Sequence, residues 1–158
     1  MKKTMFKAMC ILTLALFVMS TAGAAATSTG GKVVVVTQLS QINTALHKGP
    51  VFLRLGASWC PHCKAFEPTL EALAKEYAGK ATFMSIDITK SPKLASYFGV
   101  SLIPDCSVIV GTKNGKYVYM EQNGKTTTVR SQARITRENH PKSLYETVLN
   151  FAIKYRKS

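Results

Sequence analysis

Two cysteines separated by two residues, Cys60 and Cys63, are the side chains of this 158-residue chain whose types and spacing most directly offer chemistry. Residues 51–55 (VFLRL) read as a buried strand that ends near Gly56, and downstream Phe66, Leu70, Leu73, Ala74 and Tyr77 recur at helical spacing up to Gly79. The first cysteine therefore falls at the mouth of a helix, where free backbone N–H groups and the helix dipole favour an anion. That makes Cys60 the expected thiolate and nucleophile. A spacing of three brings Cys63 round to the same face one turn later, close enough to form a disulfide with Cys60 or to attack a mixed disulfide formed there. Cys63 is the expected resolving thiol. His62 lies between them, and a protonated imidazole beside a thiolate has an electrostatic effect; the alternative is a solvated loop residue that tunes nothing.

Other uses of a Cys-x-x-Cys pair are less well supported by the rest of the chain. A zinc site usually takes a second close-spaced pair, and His47, His62, His140 and Cys106 are scattered. One close pair with one odd cysteine is not a framework of structural disulfides either. Cys106 reads as a buried apolar filler on a strand rather than as a third redox centre.

The elements that must hold the pair follow from periodicity and turn signals. Residues 32–37 are a β-branched run suited to a strand. Residues 38–48 place Leu39, Ile42, Ala45 and Leu46 on one helical face before Gly49-Pro50 stops them. Residues 81–88 predict a further strand, and Ser91-Pro92 opens a short helix closed by Gly99. Residues 106–110 predict another strand. Asn114-Gly115 and Asn123-Gly124 signal hairpins flanked by strand candidates at 116–121 and 125–130. Pro141 starts a final helix with Leu144, Val148, Leu149, Ala152 and Tyr155 on its apolar face. Strands alternating with helices imply parallel crossovers, and hairpins imply an antiparallel addition, so the expected fold class is α/β with a mixed sheet covered by helices.

The first 26 residues differ from the rest. Lys2, Lys3 and Lys7 precede an uncharged apolar run at 8–19 and a small-residue tail at 20–26, the order of a secretory signal peptide, with an uncleaved membrane anchor as the alternative. The expected organisation is a cleaved signal at 1–26, a disordered linker at 27–31 and one domain at 32–158. Cys10 would leave with the signal. The formal net charge is +13. From residue 113 onward ten Lys or Arg face three Glu, a balance that attracts anionic partners or a membrane surface or simply solvates one face. No nucleic-acid motif accompanies the charge, so nucleic acid is not an expected partner.

The stretch Trp59-Cys60-Pro61-His62-Cys63-Lys64, with Pro68, Leu70-Glu71, Glu76-Tyr77, Gly79-Lys80 and Pro92, and then Tyr97-Phe98-Gly99-Val100 and Ile103-Pro104, resembles the thioredoxin family without a gap. The likeness is specific over roughly residues 50–112, and it rests on element order in the flanks. It implies the thioredoxin fold, here with an extra C-terminal β-hairpin. It also implies that Pro104 is cis and that Ile103, Pro104 and Trp59 receive an extended substrate segment beside the pair. Pro68 matches the proline that kinks the family's active-site helix. The buried acid that the family carries six residues before the first cysteine falls at Arg54, and the lysine usually near it falls at Ser85. Arg54 therefore either leans outward as an ordinary strand residue or approaches the cysteines and favours the thiolate and the reduced form. Pro61-His62 is similar to the dipeptide of the disulfide-forming oxidase DsbA, whereas the spacing from Cys60 to Pro104 is thioredoxin's own. The reference potentials of those two proteins differ by about 150 mV, so the direction of electron flow stays open.

The expected function is exchange of disulfides with protein thiols or disulfides by a monomer outside the cytoplasmic membrane. No cofactor is expected beyond the Cys60–Cys63 disulfide itself, and a membrane redox partner is one route for renewing it. The alternative is a non-catalytic binding module with a structural disulfide and a basic partner surface, and a third is a metal carrier using the same two thiols. The second hairpin, centred on Asn123-Gly124, together with Arg130, Arg134 and Arg137, is read either as recognition of a particular partner or as an extension of the sheet with a charged edge that resists aggregation.

Overall fold

The computed structural model describes residues 31–136 and 140–158. The expected signal peptide, Cys10, almost all of the linker and Arg137 lie outside the described residues. β1 (Val33–Val35), α1 (Leu39–Leu46), β2 (Val51–Gly56), α2 (Pro61–Glu76), β3 (Thr82–Asp87), α3 (Pro92–Tyr97) and β4 (Asp105–Lys113) follow one another in the alternating order that the periodicity predicts. β5 (Lys116–Met120), β6 (Thr126–Thr127), β7 (Ile135–Thr136) and α4 (Lys142–Lys157) complete the chain.

The strands form one mixed sheet in the order β1-β3-β2-β4-β5-β6. β1, β3 and β2 are parallel, and β4 runs antiparallel to β2 with Arg54 opposite Cys106. β2 is buried along its whole length because helices cover both faces of the sheet. On one face Phe52, Phe83, Val108 and Met120 pack against Leu70, Leu73 and Tyr77 of α2 and Tyr145, Val148 and Leu149 of α4. On the other, Leu53, Leu55, Met84, Ile86 and Ile109 pack against α1 and α3. Alternation along β2 therefore puts Arg54 on the α2 face, the same face as Phe52.

The Asn114-Gly115 signal is a two-residue hairpin loop with Lys113 opposite Lys116 and positive φ at both loop residues. The second hairpin also forms, pairing Met120 with Thr126, but its outer strand is two residues long where the sequence predicts 125–130. The chain leaves the sheet there because Arg130 turns inward, within a short 3-10 turn at Arg130–Ala133. β7, not expected from the sequence, returns to pair with Asp105 and Cys106 of β4. The reading of Arg130 and Arg134 as partner recognition or an exposed edge is corrected by this packing, since both guanidinium groups converge on the buried carboxylate of Asp105.

Candidate active site

Cys60 occupies the N-cap of α2, with extended backbone (φ −80°, ψ 117°), and Pro61 takes the first helical position, where its missing N–H leaves nothing unpaired. The Cys60 sulfur accepts a hydrogen bond from the Cys63 backbone N–H at 3.3 Å. The helix mouth thus delivers a donor directly to the first sulfur. Cys60 is 4% exposed and Cys63 fully buried, and both are free thiols. Around them lie Ala57, Ile88 and Ile103. Among the described residues no group of three or more His, Cys, Asp or Glu side chains is placed to hold a metal ion.

The Ile103–Pro104 peptide is cis, and the Ile103 carbonyl lies 3.9 Å from the Cys60 sulfur. Trp59 stands 63% exposed beside the pair, tethered by its indole N–H to the Thr89 hydroxyl at 3.1 Å. Leu102, next to Ile103 in the chain, is also exposed. His62 is exposed on the first turn of α2. Pro68 lies inside α2 and removes one helix donor, as its position predicts. All the residues singled out at 59–63 and 103–104 therefore meet at one end of the sheet.

Beneath this surface Arg54 does not lean outward but approaches the cysteines. Its side chain is buried and runs under the active-site turn, donating from Nη1 to the Ser85 hydroxyl at 2.9 Å and from Nη2 to the Cys63 carbonyl at 3.4 Å. Nη2 also meets the Glu67 carboxylate at 3.2 Å, while Nε is buried without a partner among the described residues. Burial pushes the Cys63 thiol up to about 11, helped by its hydrogen bond with Cys60; a backbone hydrogen bond from Ala57 and the Arg54 charge pull the other way. Cys106 is buried, and burial raises its thiol further still. It is a core residue of the sheet, in line with its reading as filler.

The thioredoxin family profile matches residues 33–135. The chain belongs to the thioredoxin family. Its thioredoxin relatives include the H-type thioredoxin of Chlamydomonas reinhardtii, 31% identical over 80 residues that cover 48% of this chain and 71% of that protein. The M-type chloroplastic thioredoxin of Zea mays is 37% identical over 62 residues, 39% of this chain and 37% of that protein. The chain thus spans little more than a third of the maize relative's length. Among solved structures, spinach chloroplast thioredoxin F in its long form is 26% identical with a TM-score of 0.54, covering 82% of this chain and 89% of that one. Thioredoxin from Trypanosoma brucei brucei, at 20% identity and a TM-score of 0.58 over 79% and 94% of the two chains, shares the fold. The thioredoxin fold is therefore the architecture here, with extra C-terminal strands.

Three residues of the site escaped sequence reasoning. Glu67 follows Cys63 by four positions on α2, a helical neighbour whose spacing was visible but whose partner was not. Gly56 has no side chain because the Arg54 guanidinium fills that space: a Cβ there would sit 2.7 Å from Cζ. Asp105, directly after Pro104, is fully buried and held by Arg130 in a two-pronged ion pair at 2.8 and 2.9 Å. Its only sequence signal was an isolated acid between the cis-proline position and an arginine-rich segment.

Proposed function

We propose that the chain is an exported thiol-disulfide oxidoreductase that exchanges disulfides with other proteins through Cys60 and Cys63. The observation that carries this reading is the Cys60 sulfur at the N-terminus of α2, 3.3 Å from the Cys63 N–H and 3.9 Å from the Ile103 carbonyl. Cys60 attacks one sulfur of a substrate disulfide, forming a mixed disulfide and expelling the substrate's other thiolate. Cys63 then attacks the Cys60 sulfur, closes the Cys60–Cys63 disulfide and releases the second substrate thiol. The same steps in reverse oxidise a substrate dithiol. The redox group is the disulfide itself, and no further cofactor is invoked.

Trp59, Leu102 and Ile103 offer apolar surface, which suits an extended polypeptide segment whose backbone meets the Ile103 carbonyl. Pro61 presets the first helical turn, and Pro104 fixes the loop opposite. Export rests on the N-terminal segment 1–26, and outside the cytoplasmic membrane the pair would be renewed by a membrane redox partner. The monomer is the expected working unit.

The test is turnover of a model protein disulfide by the full chain and by its Cys60→Ser/Cys63→Ser variant. Loss of all exchange in the variant is the expected result; retained turnover overturns the proposal. Equilibration in defined glutathione buffers then sets the direction, with a potential near −120 mV indicating disulfide formation and one near −270 mV indicating reduction.

A further inference from the structure

A buried arginine with an unpaired donor, in a layer directly below a reactive thiol, calls for an anion. Arg54 is 7% exposed and its Nε has no acceptor among the described residues, so a buried N–H is left unpaired at a cost to the fold. The site is built for this guanidinium. Gly56 leaves room that any Cβ would occupy, with contacts of 2.7 Å to Cζ and 2.8 Å to Nε, and Ser85 on β3 supplies an acceptor at 2.9 Å. The one carboxylate that meets it among the described residues, Glu67, is 49% exposed on its side chain, so solvent screens much of its compensating charge. A net positive field therefore remains inside the layer.

The groups that share this layer are few. From the active-site turn and α2 come Cys60, Cys63 and Glu67. From β4 comes Cys106, opposite Arg54 in register; the neighbouring Asp105 pairs with Leu55 in register and is already held by Arg130 and Arg134. Of the thiols beneath the surface, Cys63 is the one bonded to Arg54 through its own carbonyl.

We propose that Arg54 is the positioning residue of the resolving step: its buried guanidinium favours the anionic form of Cys63 and so speeds the attack of Cys63 on a mixed disulfide at Cys60. This rests on the exchange reading above. In that step the Cys63 sulfur gives up its proton and forms a bond to the Cys60 sulfur. The bond from Cys60 to the substrate sulfur breaks, and the substrate leaves with the electron pair and, finally, a proton as its thiol. Burial disfavours the Cys63 thiolate and the Arg54 charge favours it, so the fraction present as thiolate limits the rate. Lowering a thiol's pKa by one unit raises that fraction tenfold but costs nucleophilicity with a slope of about 0.4–0.5, which leaves a net gain of about threefold. Glu67 opposes the effect.

The experiment is a stopped-flow reaction of the reduced full chain, in a Cys10→Ser background, with 5,5′-dithiobis(2-nitrobenzoate). Cys60 releases one thionitrobenzoate in the first phase, and Cys63 releases the second as the disulfide closes. Arg54→Met is expected to slow the second phase relative to the first, by about threefold for each unit that the Cys63 titration moves up, and to displace its pH profile to the alkaline side. Arg54→Lys, which keeps the charge, should stay near the parent profile, and Glu67→Gln should move it to lower pH. A second phase in Arg54→Met with the parent's pH profile overturns the assignment, as does Arg54→Lys behaving like Arg54→Met, the mark of a merely structural role. If Arg54→Met does not fold, Glu67→Gln decides, and an unmoved profile overturns it. Absence of any second phase in the parent would instead overturn the exchange reading on which the inference stands.

Discussion

Replacing Asp105 by Asn keeps the shape of the side chain and removes the charge that two arginines share. In the native chain Oδ1 accepts from Arg130 Nη2 at 2.8 Å and Oδ2 from Nη1 at 2.9 Å, with Arg134 Nε at 3.3 Å. The carboxylate is fully buried and the Arg130 side chain only 8% exposed. Arg130 also donates to the Phe98 carbonyl at 3.0 Å and the Ser107 hydroxyl at 3.3 Å, so it cannot swing out to water without breaking those bonds. Removing one partner of a buried ion pair destabilises by roughly 3–5 kcal/mol, because the remaining charge stays desolvated. Against a domain stability of roughly 5–15 kcal/mol, that is a large fraction of the total. With a urea slope of about 2 kcal/mol/M, the midpoint of Asp105→Asn should fall by about 2 M at unchanged slope, followed by far-UV circular dichroism. Adding Arg130→Met should cost less than the sum of the single changes, since the second removes the charge that the first stranded. A loss below about 1 kcal/mol, or strict additivity in the double variant, would refute the argument that this carboxylate anchors the C-terminal segment to the loop after Pro104.

Two further outcomes follow from the site. Gly56→Ala drives a Cβ to 2.7 Å from the Arg54 guanidinium and should destabilise by about 1–3 kcal/mol, with much of the loss recovered in Gly56→Ala/Arg54→Met; no recovery would mean that the crowding lies elsewhere. The raised Cys63 titration makes the reduced protein pH-sensitive. The folded state holds that proton more tightly than the unfolded chain, so its contribution is intact below about pH 9 and is lost as pH rises towards about 11. The urea midpoint of the reduced form should therefore fall more steeply than that of the oxidised form across this window, and parallel curves would contradict the burial of Cys63.

What was legible in the sequence is what short-range rules decide. A strand that ends at Gly56, a cysteine at a helix mouth and a second one a turn later depend on residues within a few positions of one another, so Cys60 and Cys63 could be assigned roles before their sulfurs were placed. Asn114-Gly115 fixed a hairpin because its two residues accept positive φ. Asn123-Gly124 marked its turn equally well, but it said nothing of how soon β6 would end. That was decided by Arg130 finding Asp105, 25 residues away in the chain, and by β7 taking the edge of β4 that β5 leaves free.

Arg54 shows the same division most sharply. Its position in a buried strand was plain from VFLRL, whereas whether it faced solvent or the cysteines depended on both faces of β2 being covered and on Ser85, Gly56 and Glu67 converging from three segments. A charge can be buried only where partners from distant parts of the chain meet it, and only tertiary packing brings such partners together.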